Sequence, residues 1–135
     1  MPKKNIKKKI LVIEDSDSLS KIIKMKLEEA GYLVLLSQNG EDGLEKVTRE
    51  KPDLVWLDIY LPGMNGLELL EKIRKNPATK GQKTIIVSVS GNNKKIEIAE
   101  KLGVIDYYVK SNYKIEELVS LVNGIFKDIQ KNKLR

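Results

Sequence analysis

Three acidic side chains follow apolar stretches of the sequence at the points where those stretches end. Glu14 and Asp15 come directly after one such stretch, and Asp58 comes directly after another. Clustered carboxylates repel one another, and a hard divalent cation relieves that repulsion. Mg²⁺ prefers oxygen ligands and is typically held by one or two carboxylates together with phosphate oxygens. Where the three carboxylates meet, we expect a Mg²⁺ site in which Mn²⁺ can substitute, with the backbone carbonyl of Tyr60 as a candidate further ligand.

A hydroxyl group and an amine end two further apolar stretches. Ser88 follows residues 84–87, and Lys110 follows residues 107–109. A carboxylate such as that of Asp58 can attack phosphorus to form an aspartyl phosphate, and catalysis of this transfer consists mainly of alignment and charge neutralisation. Mg²⁺ and the ammonium group of Lys110 would supply the positive charge.

The composition excludes several other kinds of site. The chain has neither cysteine nor histidine, which rules out disulfides, thiolate nucleophiles, Ser-His-Asp triads and the commonest zinc ligands. It also lacks a Gly-x-Gly-x-x-Gly fingerprint and the Gly-Lys pair of a Walker motif, which disfavours direct nucleotide binding. The chemistry must therefore come from carboxylates, hydroxyls and lysine.

Five short apolar runs rich in β-branched residues predict strands, and a stretch of helical period follows each of them. The predicted strands are residues 10–13, 33–36, 54–57, 84–87 and 107–109. The first, third and fourth runs are almost continuously apolar, which is typical of strands covered on both faces of a sheet. The sequence therefore predicts an α/β fold, a five-stranded parallel sheet that is doubly wound.

Polar and turn residues mark the ends of the predicted helices. Ser16 or Asp17 is suited to cap the first helix, while Gly31 and Gly103 are suited to end the first and fourth helices. In open parallel sheets, ligands bind beyond the carboxyl ends of the strands. The carboxylates, the hydroxyl and the amine are therefore expected to converge on one edge of the sheet.

Taken together, these sequence segments closely resemble the receiver domain of two-component response regulators, in the CheY-like superfamily. The resemblance rests on Ile-Leu-Val-Ile-Glu-Asp-Ser at residues 10–16, Asp-Ile-Tyr-Leu-Pro-Gly-Met-Asn-Gly at 58–66, Ser88, and Tyr-Tyr-Val-Lys at 107–110. It covers about residues 8–128 of the chain. It implies a (βα)₅ fold with the flavodoxin-like strand order 2-1-3-4-5.

The resemblance also implies a role for each side chain at the expected edge. Asp58 is the phosphoacceptor, and Glu14 and Asp15 form the acidic pair that positions Mg²⁺. Lys110 pairs with the phosphate. Ser88 is the hydroxyl of the switch that responds to phosphorylation.

Further positions bear on the response to phosphorylation. Tyr107 falls at the aromatic switch position of the family, although either Tyr107 or Tyr108 is expected to pack inward whatever the function. Ser90 is the alternative switch hydroxyl if the alignment shifts locally. Two positions depart from the family: Val89 stands where a small residue is preferred, and Ser111 stands where Pro is usual, which predicts a more mobile loop.

The expected function is that of a signalling switch that presents a changed surface to an unidentified downstream protein. Because the chain has no histidine, the phosphoryl donor would be a sensor histidine kinase or a histidine phosphotransfer protein. The chain would not be a multiple-turnover enzyme. Two other classes stay open. One is a phosphatase of the haloacid dehalogenase type, which has Asp where Tyr60 stands, and the other is a flavin-binding or scaffolding module.

The length and charge of the chain indicate how many domains it has and which partners it is expected to bind. The 135 residues suit a single domain with a core at about residues 8–128 and no output domain. The net charge of +6 is concentrated in basic tails at residues 1–9 and 127–135, so direct nucleic-acid binding is not expected. No segment resembles a membrane span or a signal peptide, and a cytoplasmic location is expected.

Overall fold

The computed structural model describes residues 6–133, in which five β-strands alternate with five α-helices. In chain order the elements are β1 (Lys9–Ile13), α1 (Asp17–Glu29), β2 (Leu33–Ser37), α2 (Gly40–Glu50), β3 (Leu54–Leu57), α3 (Gly66–Lys75), β4 (Thr84–Ser88), α4 (Asn93–Lys101), β5 (Asp106–Val109) and α5 (Ile115–Lys133). A 3₁₀ turn, Lys110–Asn112, lies between β5 and α5.

The five strands form one parallel sheet in the order β2-β1-β3-β4-β5. This confirms the predicted doubly wound arrangement and the predicted strand order. Each predicted strand agrees with the observed one to within a single residue at either end. In the centre of the sheet Ile13 is in register with Leu57, so the carboxyl ends of β1 and β3 lie side by side.

Two apolar clusters cover the two faces of the sheet. One contains Ile10, Val12 and Trp56, packed with residues of α1 and α5. The other contains Leu11 and Ile13, packed with residues of α2, α3 and α4. Successive side chains of a strand point to opposite faces, so the continuous apolar runs of the central strands supply both clusters. The sheet is therefore covered on both faces, and the polar residues lie at the carboxyl ends of its strands.

Local signals in the sequence set the ends of the first and fourth helices. Ser16 Oγ accepts a hydrogen bond from the Leu19 amide at 3.3 Å, so Ser16 rather than Asp17 caps α1. Gly31 and Gly103 follow α1 and α4 with φ angles of 100° and 76°. Glycine adopts this left-handed conformation without strain, which is why both helices end where the sequence predicts.

The C-terminal part of the domain differs from the expectation. Helix α5 continues to Lys133, whereas the sequence analysis places a basic tail from residue 127. The helix continues because Ile129 extends its apolar stripe and packs against the core. The other tail positions at residues 1–5 and 134–135 lie outside the described residues. Among residues 6–133, none of the helices is both long enough and apolar enough to cross a membrane.

Candidate functional site

Asp58 lies directly after β3, at the carboxyl edge of the sheet. Its backbone N–H donates to the carbonyl oxygen of Ile13 at 3.0 Å, which fixes it beside the end of β1. Its Oδ1 accepts hydrogen bonds from the Tyr60 amide at 3.1 Å and from Ser88 Oγ at 3.2 Å. Asp58 is only 4% exposed, and these donors compensate a carboxylate that has been removed from water.

Three carboxylates meet at this edge, as the sequence predicts. One oxygen from each of Glu14, Asp15 and Asp58 lies within 4.8 Å of the other two. Glu14 and Asp58 are buried and Asp15 is exposed, so the cluster can be reached from solvent. A close set of carboxylate oxygens is the donor set that Mg²⁺ and Mn²⁺ prefer. The residues present therefore fit a hard divalent cation.

Lys110 forms salt bridges with two of the three carboxylates. Its Nζ lies 2.5 Å from Glu14 Oε1 and 3.1 Å from Asp58 Oδ2. Burial lowers the pKa of Lys110, but the hydrogen bond to Glu14 and the charges of Asp58 and Glu14 outweigh it, so the pKa lies above its ordinary value. The ammonium group thus stays charged at neutral pH. One positive charge against three carboxylates leaves a formal excess of two negative charges, which a divalent cation would balance.

The structure separates the two candidate switch hydroxyls. Ser88 is the last residue of β4, is fully buried, and donates through Oγ to Asp58. Ser90 is exposed, and its Oγ lies 2.7 Å from the Oη of Tyr60 instead. Of the two, Ser88 is therefore the hydroxyl that contacts Asp58.

Tyr107 connects β5 to the segment between β4 and α4. Its O–H donates to the carbonyl oxygen of Ser90 at 2.6 Å. Gly91 makes room for the ring, since a Cβ at that position would lie 2.8 Å from a ring carbon of Tyr107. Burial raises the pKa of Tyr107, so its phenol remains a donor at neutral pH. Of the two tyrosines, Tyr108 is the buried one, with its pKa raised to about 12 by burial.

A polar network beside Asp58 includes Lys95, which is not among the site residues predicted from the sequence. Lys95, on α4, donates through Nζ to the Oη of Tyr60 and lies 4.2 Å from the centre of its ring. This hydrogen bond, with that to Ser90, lowers the pKa of Tyr60. The network joins the segments that follow β3 and β4. Lys95 has no distinguishing local signal, because it is one of several helical lysines and meets Tyr60 only through the tertiary fold.

Comparison with known proteins agrees with this geometry. A family model of the response regulator receiver domain matches residues 10–123. The chain belongs to the response regulator receiver domain family. The response regulator ArlR of Staphylococcus saprophyticus is 35% identical over 123 residues, which are 88% of this chain and 52% of that protein. The receiver domain described here thus spans about half the length of the curated relatives that it matches.

Solved structures support the same assignment of the receiver fold. A CheY-like response regulator receiver domain protein from Methanospirillum hungatei superposes with a TM-score of 0.86 at 28% identity, covering 94% of this chain and 99% of that one. The Mn²⁺-bound form of response regulator Rcp1 superposes with a TM-score of 0.74 at 27% identity, covering 87% and 91% of the two chains.

Gly66 allows the start of α3 to lie against the backbone of Asp58. Gly66 begins α3, and its N–H donates to the carbonyl oxygen of Ile59 at 2.8 Å. A Cβ at Gly66 would lie 2.4 Å from the carbonyl oxygen of Asp58 and 2.7 Å from Ile59 Cα, which only a residue without a side chain avoids. The start of α3 therefore packs directly against the backbone of Asp58.

Ser111, at the position where the family usually has Pro, lies within the 3₁₀ turn after β5.

Proposed function

We propose that this receiver domain is a phosphoacceptor in which Asp58 takes a phosphoryl group from a partner phosphohistidine in a Mg²⁺-dependent reaction. The observation that carries the proposal is the set of donors around one buried carboxylate. Lys110 Nζ lies 3.1 Å from Oδ2, and Ser88 Oγ and the Tyr60 amide donate to Oδ1. These groups lie at or just beyond the carboxyl ends of the strands, so donors are already assembled around Asp58 before a phosphoryl group arrives.

In the proposed step, a carboxylate oxygen of Asp58 forms a bond to phosphorus while the bond between phosphorus and the donor's imidazole nitrogen breaks. The electron pair of that bond returns to the imidazole, which leaves with the partner protein. Lys110 remains protonated, since its contacts with Glu14 and Asp58 raise its pKa despite burial. Its ammonium group would pair with the phosphoryl oxygens and keep them aligned on the carboxylate.

Glu14, Asp15 and Asp58 would hold the Mg²⁺ ion, with the carbonyl of Tyr60 as a further ligand and Mn²⁺ as a substitute. When bound, the ion neutralises charge on the phosphoryl oxygens. Support comes from the carboxylate oxygens that lie within 4.8 Å of one another. The relative Rcp1 has been crystallised in a Mn²⁺-bound form.

The proposed response begins at Ser88 and Lys110. A phosphorylated side chain carries roughly −1.5 to −2 charges near neutral pH, and both residues would move to pair with it. Movement of Ser88 would displace the β4–α4 segment, alter the hydrogen bond between Tyr107 and Ser90, and favour a more buried Tyr107. The face formed by α4, β5 and α5 would then shift toward a second population that a downstream partner selects.

The proposed phosphoryl donor is a sensor histidine kinase or a histidine phosphotransfer protein, because the chain has no histidine of its own. The two-component relatives support a kinase partner. Cytoplasmic action is part of the proposal. The domain would act by protein contacts rather than by direct nucleic-acid binding, and it would not turn over repeatedly as an enzyme.

The proposal is tested by incubating the protein with Mg²⁺ and acetyl phosphate and measuring its intact mass. We expect a gain of one phosphoryl group that disappears in Asp58→Asn and persists in Asp128→Asn, a matched change of an exposed aspartate on α5. A folded wild-type protein that gains no mass would contradict the proposal and favour a scaffold. Repeated turnover of phosphoester substrates without retained label would instead indicate a phosphatase.

A further inference from the structure

A hollow lies at the amino edge of the sheet, at the opposite end of the strands from Asp58. Its volume is about 680 Å³, which is within the range of sites for small organic ligands. Its walls come from the end of α3, the segment before β4, the end of α4 and the last turns of α5. Among the residues that line this amino-edge hollow are Arg74, Lys80, Lys83, Lys101, Ile105 and Asp128.

Arg74 holds two walls of the amino-edge hollow together. Its Nη1 donates to the carbonyl oxygens of Lys80 and Gln82, both at 2.9 Å, and its Nε donates to that of Leu102 at 2.5 Å. Its Nη2 donates to the carbonyl oxygen of Gly103 at 3.4 Å. The guanidinium group thus connects the segment before β4 to the end of α4, so the hollow is formed before any ligand binds.

The charge of Arg74 is not balanced within the part of the chain that the structure describes. All four acceptors are neutral carbonyls, and no carboxylate of residues 6–133 lies within 4.0 Å of the guanidinium group. Arginine has five N–H donors, so one N–H of Nη2 has no acceptor among these residues. Arg74 is half-buried, and charges withdrawn from water are normally paired. An anionic oxygen would satisfy both the remaining N–H and the charge.

Three lysines add to the positive charge of the hollow. Lys80, Lys83 and Lys101 line it, with Asp128 as the one carboxylate among the lining residues. Within residues 6–133, neither Lys80 nor Lys83 forms a salt bridge, and Lys101 pairs only with Glu97 at the exposed surface. Exposed pairs of this kind are weak. Together with the guanidinium group, the lining has a formal excess of three positive charges.

The helix ends at this edge reduce the positive potential without cancelling it. Helices α3, α4 and α5 all end here, and the carboxyl end of a helix carries about half a negative charge. Three such ends offset about half of the formal excess of three charges. The ligand favoured by the hollow is therefore an anion.

The remaining lining of the hollow is mainly apolar. Leu102, Ile105, Ile125 and Ile129 contribute to it, and Ile105 is 42% exposed although it is a large aliphatic residue. An inorganic ion would leave this apolar surface in water, whereas a hydrocarbon or aromatic body would cover it. Lysine ammonium groups bind phosphate as point charges, and a phosphate monoester carries roughly −1.5 to −2 charges near neutral pH. The complement of the hollow is an organic phosphate with an apolar body.

We propose that the amino-edge hollow binds a small organic phosphate monoester whose body is an aromatic or branched hydrocarbon group. The phosphate oxygens pair with the remaining N–H of Arg74 and with the ammonium groups of Lys80 and Lys83. The hydrocarbon body packs on Ile105. The site is separate from the acidic cluster, and binding requires neither Mg²⁺ nor phosphorylation of Asp58.

The direct test is the binding of 2-naphthyl phosphate to the wild-type protein without Mg²⁺, measured by isothermal titration calorimetry and by ¹³C methyl NMR. Two control probes divide the ligand: 2-naphthol keeps the aromatic body, and inorganic phosphate keeps the charge. We expect saturable binding of 2-naphthyl phosphate, at least about tenfold tighter than either control and weakened by salt. Methyl resonances of Ile105, Ile125 and Ile129 should shift, while that of Ile13 at the carboxyl edge should not.

A pair of double variants tests the role of the lysines. Lys80→Gln/Lys83→Gln removes two exposed ammonium groups and should weaken binding of 2-naphthyl phosphate about tenfold, with a change of less than about twofold for 2-naphthol. Lys72→Gln/Lys75→Gln makes the same change of charge at exposed positions of α3 outside the lining, and it should alter the affinity less than about twofold. Asp128→Asn removes the carboxylate of the lining and should strengthen binding of the phosphate about twofold.

A second pair of variants tests the apolar part of the site. Ile105→Ala should weaken binding of 2-naphthyl phosphate and of 2-naphthol alike, by about threefold or more. Ile98→Ala is the control, because Ile98 is similarly exposed, at 37%, and lies on α4 outside the lining. It should leave both affinities unchanged.

The proposal would be overturned by any of three results. One is the absence of saturable binding of 2-naphthyl phosphate, or methyl shifts outside the hollow alone. Another is an equal affinity for 2-naphthyl phosphate and 2-naphthol, which would remove the role of the phosphate. The third is an equal loss of affinity in the two lysine double variants. The Asp58→Asn protein should bind 2-naphthyl phosphate as the wild type does, so these results do not depend on whether Asp58 accepts phosphate.

Discussion

The ammonium group of Lys110 lies 3.1 Å from Oδ2 of Asp58, although the two residues are 52 positions apart in the chain. The relationship is produced by the parallel sheet, in which β3 and β5 flank β4 and all three strands end at the same edge. Both side chains are largely buried, at 18% and 5% exposure. An ion pair in this position is only weakly screened by solvent, so its loss should be measurable in stability as well as in reactivity.

Replacing Lys110 by Met keeps the aliphatic stem and removes the charge. We expect the free energy of unfolding at pH 8 to fall by about 2–3 kcal/mol, because Glu14 and Asp58 lose their buried counter-charge. Since folding raises the pKa of Lys110, the difference should be present in full below the unfolded-state pKa of about 10.4 and disappear as the pH rises through the folded-state value. Urea unfolding from pH 7 to 11 measures the loss at pH 8 and the start of its decline as the pH passes about 10.4.

Lys114→Met is the matched control, because Lys114 is exposed and close in sequence. It should change the free energy of unfolding by less than about 0.5 kcal/mol. Equal stability of the wild type and Lys110→Met at pH 8, or a difference that widens above pH 10, would be inconsistent with the ion pair described here.

The acidic cluster should bind Mg²⁺ through Asp15 without requiring a phosphoryl donor. Asp15→Asn removes one charge from the exposed side of the cluster and should weaken Mg²⁺ binding by about tenfold, equivalent to about 1.4 kcal/mol. Isothermal titration calorimetry gives the affinity, and Glu71→Gln on the exposed surface of α3 is the control. Similar Mg²⁺ affinities in wild type and Asp15→Asn would remove Asp15 from the ligand set.

Gly66→Ala tests the close contact between the start of α3 and the backbone of Asp58. The added Cβ would overlap the carbonyl oxygen of Asp58 and Cα of Ile59, and we expect a loss of about 1–3 kcal/mol in the free energy of unfolding. Gly124, within α5, has open space at the same position of its Cβ. Gly124→Ala should therefore stabilise the protein by about 0.5–1 kcal/mol. Chemical denaturation measures the free energy of unfolding of both variants. A change in the same direction for Gly66→Ala and Gly124→Ala would contradict the close contact described for Gly66.

The network of Tyr60, Ser90 and Lys95 should be visible in the titration of one phenol. The hydrogen bond from Lys95 contributes most to the lowered pKa of Tyr60, so Lys95→Gln should return that pKa toward its ordinary value. The ¹³Cζ resonance of Tyr60, followed against pH, measures the change, with Lys94→Gln as the neighbouring control. If the Tyr60 pKa were the same in wild type and Lys95→Gln, the network would not exist in solution.

We also expect this network to influence how water reaches a phosphorylated Asp58, since Tyr60 and Ser90 flank it. Tyr60→Ala and Ser90→Ala should change the rate of dephosphorylation, measured by the decay of the phosphorylated mass after removal of acetyl phosphate. Unchanged decay rates in both variants would argue against a role in water access.

The sheet could be predicted from the sequence because its strands are short apolar runs bounded by polar residues. Leu54–Leu57 is buried along its whole length and is followed directly by Asp58, so the strand and the position of the carboxylate are defined together. The strand order came from the family resemblance. The apolar stripe of the fifth helix is visible in the sequence as far as Ile129, but the basic residues from 127, counted as a tail, lie within α5 up to Lys133.

Contacts made between elements were not predictable in the same way. The family resemblance favours Ser88 over Ser90, but the contact of Ser88 Oγ with Asp58 depends on the burial of Ser88 at the end of β4. Lys95 meets Tyr60 because α4 follows the strand next to β3. The unpaired indole of Trp56 is likewise invisible in an apolar run, where tryptophan is only one more large residue. These features depend on tertiary geometry.

The most direct test of the central claim is to locate the phosphoryl group by chemistry. After incubation with Mg²⁺ and acetyl phosphate, borohydride reduces an aspartyl phosphate to homoserine, while a serine phosphate is not reduced, and tandem mass spectrometry of the digested protein gives the position. We predict homoserine at residue 58 alone, absent when Mg²⁺ is chelated. Homoserine at another position, or a phosphoryl group that survives reduction on Ser88 or Ser90, would contradict the assignment of Asp58 as the phosphoacceptor.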